Sequence, residues 1–351
     1  MNKTIILLLF CFIPVLVFTQ NPIYPNDPHW QLKWEDNFNT FDTTHKWMRA
    51  HYCDHAGEPQ LFLKQNVWVA NGNLVIEINN NKAYCPSNPP PVTTYACGSC
   101  VEGWHNFTSG WVDTRSTFYT KFGYIEARIK LPYRPGFFHH AFWTWKGSGE
   151  HMDEIDIFEM GWQPKSNEVT TNIHTCYYDS ITNPDCLENY FQEHSFSGFN
   201  YSDWHIYAIE WDVNKITWYI DNIPFRTSIN PGIIDPVRLI LGMGIKNAPT
   251  SPPFQEHMYV DYVKVYQLNC DKNTVVTQIP NFNTYNYAVK KSISLDGQTQ
   301  IPNNSNITLR ANDFIELKPG FEVQTGRELY LDVSPCEIPN SVKPPDLRDN
   351  N

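Results

Sequence analysis

Three carboxylates fall within six residues at Glu154-Ile-Asp-Ile-Phe-Glu159, and every gap between them is filled by Ile or Phe. β-Branched and aromatic residues alternating with polar ones predict a strand. Side chains on a strand alternate faces, so Glu154 and Asp156 share one face and Ile155 and Ile157 the other. Glu159 is an odd number of positions from Glu154 and would point away. One β-bulge between Ile157 and Glu159 returns it to the acidic face. Like charges on one wall repel and raise one another's pKa, a burden on folding. Two carboxyls with pKa values pushed apart are what glycoside hydrolysis uses, one as nucleophile and one as proton donor. The plainer readings are a solvated edge strand or a carboxylate metal site. Apolar fillers and the flanking Trp143, Trp145 and Trp162 oppose the first. A hard cation would draw on loop oxygens as well, which weakens the second.

The rest of the chain repeats the strand signal. Asn66 to Ile78 reads as a hairpin turning at Asn71-Gly72. Phe122–Pro132 alternates cleanly, Ala141–Trp145 follows as a buried strand, and a turn is expected at Asp221-Asn222. No segment sustains a 3.6-residue apolar period. Many short strands separated by Gly and Asn turns predict an all-β sandwich. With 351 residues, one large β-domain and a smaller unit are expected. The boundary falls near Cys270, where aromatics thin out. Short strands are expected at Ser292–Leu295, Asn306–Leu309, Phe314–Leu317 and Leu329–Val333. The divisions are thus a leader over 1–20, a main domain over 21–269, a small β-module over 270–336 and a disordered tail over 337–351.

The leader expectation rests on Lys3 followed by an almost wholly apolar run from Ile5 to Phe18, too short to span a bilayer comfortably. It places the protein outside the cell, secreted or at the surface. No other stretch reads as a membrane span. Setting Cys11 aside leaves eight cysteines, which favours disulfides. Cys176–Cys186 and Cys270–Cys336 are candidate pairs. A zinc site from Cys53, Cys85, Cys97 and Cys100 is the alternative for that group. A net charge of −11 makes a nucleic acid a poor partner. The 12 Trp and 19 Tyr exceed what a core commonly uses and suit sugar stacking.

The run Glu154–Glu159 resembles the bulged E-x-D-x-x-E signature of glycoside hydrolase family 16, in the version of laminarinases, agarases and carrageenases. The resemblance extends over roughly residues 30–268. It includes Trp34–Phe38, Thr108–Thr114, Ala141-Phe-Trp143, Trp204–Trp211, Trp218–Asp221 and Val260–Tyr266. It implies a concanavalin-like jelly roll with a cleft on its concave sheet. It also implies a retaining endo-glycosidase that needs no cofactor for its chemistry and works as a monomer on a polysaccharide. Matched position by position, Glu154 is the nucleophile, Glu159 the acid/base and Asp156 the assisting carboxylate. Trp143, His139, Trp111, His174 and Trp162 are the expected substrate contacts. A structural calcium would be held by Asp261, Asn37 and the Gly72 carbonyl. The chain departs from the pattern twice. His139-His140-Ala141 replaces Trp-Pro-Ala, and Gly57-Glu58-Pro59-Gln60 lacks the usual Asn. Both departures bear on specificity, which is expected to be for β-1,3-glucan, with a galactan of the agarose type as the alternative. A non-catalytic sugar-binding jelly roll and a transglycosylase are the other readings. The C-terminal module resembles small repeat-like β-modules appended to exported Bacteroidetes proteins.

Overall fold

The computed structural model describes residues 30–55, 58–89, 100–133, 137–146, 153–160, 165–175, 190–212, 215–246, 254–268, 273–276, 284–288, 292–301 and 306–333. Among them, two large sheets face each other. The ten-stranded sheet runs from Ile223–Ile229 through Lys215–Ile220, His205–Trp211, Gly123–Lys130 and Gln255–Leu268 to Asn73–Asn79 and beyond. The seven-stranded sheet has the order Gln192–Ser195, Glu168–His174, Glu154–Met160, Phe138–Trp145, Arg238–Ile245, Trp111–Asp113, Met48–Arg49. All its pairings are antiparallel. The fold class is the expected all-β sandwich.

Alternation drives the layering. In Gly123–Lys130, Ile125, Ala127 and Ile129 enter the core that the two sheets share. In Phe138–Trp145, Phe138, His140, Phe142 and Thr144 are buried, while the residues between them are half-exposed. The hairpin at Asn71-Gly72 is present, with φ of 52° and 73°, the left-handed pair that a two-residue hairpin turn requires. Asp221 and Asn222, at φ 49° and 67°, make a second such turn.

All four strands expected in the C-terminal module are present: Ser292–Leu295, Asn306–Ala311, Phe314–Leu317 and Glu328–Val333. Their pairing is parallel. Ser292 faces Phe314 and Asn306 faces Glu328, each pair 22 residues apart. Asn273–Val276 and Thr284–Ala288 extend the same two stacks. The chain therefore coils, adding one strand to each stack per turn. Ile293, Leu295, Ile301, Leu309 and Ala311 form a core inside the coil.

The zinc alternative is corrected. Cys85 and Cys100 are joined to each other, and Cys53 is also disulfide-bonded. Cys176, Cys186, Cys270 and Cys336 lie outside the described residues, as do residues 1–29 and 334–351. Among the described residues, no helix is long and apolar enough to cross a membrane.

Candidate active site

The acidic wall forms on Glu154–Met160 through the bulge that its sequence demands. Against the neighbouring strand, Trp145 faces Glu154 and Trp143 faces Asp156, but Phe142 faces Phe158 and Ala141 faces Glu159. Ile157 is the extra residue, one place before the expected interval. Ile157 and Phe158 both enter the core, so Glu159 returns to the face of Glu154 and Asp156. All three carboxylates line one cleft with a volume of about 410 Å³, the size range of a small-ligand site.

The floor is the alternating face of the next strand: His139, Ala141, Trp143 and Trp145. Trp143 stacks on Trp145, centroids 5.9 Å apart, and meets Trp111 at the same distance. Trp111 lines the cleft as well. Arg238 sits 4.6 Å over the Trp145 ring and pairs with buried Asp113, which fixes that end of the floor. Gly242, Met243 and Gly244 from the third strand complete it.

Two histidines offset the acidic wall. His174 Nε2 lies 3.3 Å from Asp156 Oδ2 and 3.9 Å from Glu154 Oε1. Burial opposes a charge on His174, but the Asp156 hydrogen bond and the three carboxylates override it and raise its pKa to about 9. Burial and the Asp156 charge push the Glu154 carboxyl well above the usual carboxylate range, and His174 acts against them. Glu154, Asp156 and His174 present donor atoms within 4.8 Å of one another, the spacing of a metal site.

His139, an expected substrate contact, lines the cleft, and carboxylates hold its ring. Its Nε2 is 2.6 Å from Glu159 Oε1 and its Nδ1 is 2.5 Å from Glu58 Oε1. Both ring nitrogens are engaged by carboxylates, so neither is available to a sugar hydroxyl. Glu58, His55 and Trp145 are cleft residues that the expected set lacked. The signal for Glu58 was its place in Glu58-Pro-Gln60, two positions before the polar side chain that opens the strand Gln60–Phe62.

Trp162 lies outside the described residues. Of the expected calcium donors, Asp261 is paired with Arg128, Oδ2 to Nη1 2.7 Å. Asn37 donates to Glu35 at 3.2 Å, so both side chains already have protein partners.

The profile described as "Glycosyl hydrolases family 16" matches residues 64–234. Among curated relatives, endo-1,3-1,4-beta-glycanase ExsH of Rhizobium meliloti (strain 1021) is 29% identical over 172 residues, 48% of this chain and 35% of that protein. Glucan endo-1,3-beta-glucosidase A1 of Niallia circulans is 27% identical over 290 residues, 69% of this chain and 39% of that one. The chain thus spans little more than a third of the length of these relatives. The solved laminarinase catalytic domain of Thermotoga maritima MSB8 superposes with a TM-score of 0.54 at 25% identity, covering 68% of this chain and 98% of that domain.

Proposed function

Because the chain belongs to family 16 of the glycosyl hydrolases, we propose that it is a retaining endo-glycosidase that cuts β-1,3-linked glucan. The observation that carries this reading is the bulge at Ile157, which sets Glu154, Asp156 and Glu159 on one cleft wall above tryptophan rings. A binding module has no use for three clustered carboxylates, whose repulsion only destabilises it.

The chemistry follows from position. The Glu154 carboxylate attacks the anomeric carbon while the glycosidic C–O bond breaks. Glu159 gives its proton to the departing oxygen. A water then enters, Glu159 takes a proton from it, and the Glu154–sugar ester is hydrolysed with the original configuration restored. His174 supplies the nearby positive charge that favours the ionised nucleophile, against burial and the charge of Asp156. Trp143 and Trp111 offer faces on which pyranose rings stack. The glucan reading draws on the relatives and on this tryptophan floor. Export is part of the proposal, supported by the basic-then-apolar start of the sequence and by the Cys85–Cys100 disulfide.

The test is release of reducing ends from laminarin, mixed-linkage glucan, agarose, porphyran and carrageenan, with Glu154→Gln as control. Cleavage of laminarin with a β-configured product by NMR is expected. Cleavage of a galactan alone would overturn the substrate, and an inverted product would overturn the mechanism.

A further inference from the structure

Between Glu58 and Glu159, the His139 ring is gripped at both ends. We propose that His139 is the positioning residue of the acid/base: anchored by Glu58, its ring fixes one oxygen of Glu159, leaving the other to deliver the proton. The same ring supports the carboxylate that remains once the proton has gone. The inference rests on the hydrolase reading of the cleft.

The clamp is built from buried parts. The Glu58 side chain is only 6% exposed and that of His139 15%. Gln60, fully buried, donates to Glu58 Oε2 at 2.5 Å and accepts the Ile245 main-chain N–H at 2.9 Å. One amide therefore ties Glu58 to the strand beside His139. On that strand Gly244 leaves the room: a Cβ built there falls within 2.6 Å of Glu58 Oε1. An amide two residues on and a glycine from another strand thus fix the carboxylate that grips the histidine.

The charges around the ring agree. Glu58 and, beyond it, His55 face it from the segment before Gln60; His55 Nδ1 is 3.9 Å from Glu58 Oε2. Glu159 faces it from the acidic strand, with Asp156, Glu154 and His174 farther along. His140, on its own strand, is held neutral by burial. Gly242, Met243 and Gly244 add no charge. Burial opposes protonation of His139, but its hydrogen bonds to Glu159 and Glu58 raise its pKa to about 10. Doubly protonated, it donates at both ends. Nδ1–H serves Glu58 and Nε2–H serves Glu159 Oε1, so the acid proton of Glu159 resides on Oε2. When that proton passes to the leaving oxygen, the new carboxylate already faces a cation. No proton leaves His139 in this step.

The experiment has two arms on the full chain. Histidine 15N NMR, with His139→Gln to assign the signal, reads the protonation of the ring. His139 should stay doubly protonated past pH 9, and Glu58→Gln should lower its midpoint by about one unit or more. A wild-type midpoint near the usual histidine value, or no response to Glu58→Gln, overturns the clamp. The second arm compares kcat/KM for the polysaccharide with kcat/KM for a dinitrophenyl glycoside, whose leaving group needs no proton. His139→Gln should lose about 100-fold on the first, within the range of general acid catalysis, and under about threefold on the second. Equal loss on both overturns the positioning role. Glu58→Gln should show the same contrast, and serves if His139→Gln does not fold. A wild type that turns over neither substrate would sink the hydrolase reading, and the NMR arm would still decide the clamp.

Discussion

The indole nitrogen of Trp218 donates to the main-chain carbonyl of Asp156, 2.9 Å away across the sandwich. Asp156 is the residue just before the bulged Ile157. A bulge disrupts the ladder locally, and here a side chain from the facing sheet supplies a bond at that point. Trp218 is itself fully buried, with Arg226 stacked 4.1 Å over its ring. The back sheet thus helps set the spacing of the acidic wall.

Trp218→Phe keeps the ring contact and removes the donor. The buried carbonyl left behind should destabilise the fold by about 1–3 kcal/mol, measured as a shift in urea midpoint. Because the bulge sets where Glu159 points, kcat should fall further than KM rises. A variant with wild-type kcat would show that the bulge holds its shape without this bond.

His174 lowers the tendency of Glu154 to hold a proton, against burial and the Asp156 charge. His174→Gln removes that cation, so Glu154 protonates more readily and, under the proposed mechanism, the nucleophile is lost at higher pH. The acid limb of kcat/KM should move to higher pH by about one unit. If the limb stays in place while KM alone rises, His174 is a substrate contact and nothing more.

How much of this was legible in sequence depended on distance along the chain. The acidic strand and the His139–Trp145 face follow a two-residue period, which needs only local spacing. The bulge was legible as a necessity, but its place at Ile157 is set by register against Phe142 and Trp143. The Glu58 clamp joins residues 81 positions apart, and its room comes from a glycine on a third strand. In sequence His139 therefore read equally as a sugar hydrogen-bonder or as a satisfied structural histidine. In the C-terminal module the strands were legible from alternation, but their parallel stacking was not, because a weak repeat of 22 residues carries little periodic signal.

That module's core offers a separate test. Leu309 is fully buried beside Ile293, Leu295 and Ile301, so Leu309→Ala should cost about 2–5 kcal/mol locally. No described residue of Ser292–Val333 lines the cleft. Limited proteolysis should therefore cut the variant within the coil while hydrolysis by residues 30–268 stays within about twofold. A parallel loss of turnover would show that the coil supports the sandwich.

Glu126 lies on the ten-stranded sheet, not the sheet that bears the acidic wall. It is 1% exposed on Gly123–Lys130, and its Oε2 has no hydrogen-bond partner among the described residues. Burial pushes its pKa up to about 7, against the charge of Lys264 and the Tyr266 hydroxyl. A carboxyl whose folded pKa lies above its unfolded value stabilises the fold below about pH 4.5 and loses that contribution as pH rises through 7. Glu126→Gln has nothing to ionise. Between pH 5 and 8.5 the wild type should lose more stability than the variant, by a difference on the order of 2 kcal/mol. Thermal melts at the two pH values measure it. Equal slopes for both proteins would mean that Lys264 already holds Glu126 ionised and that the burial penalty is compensated on the spot.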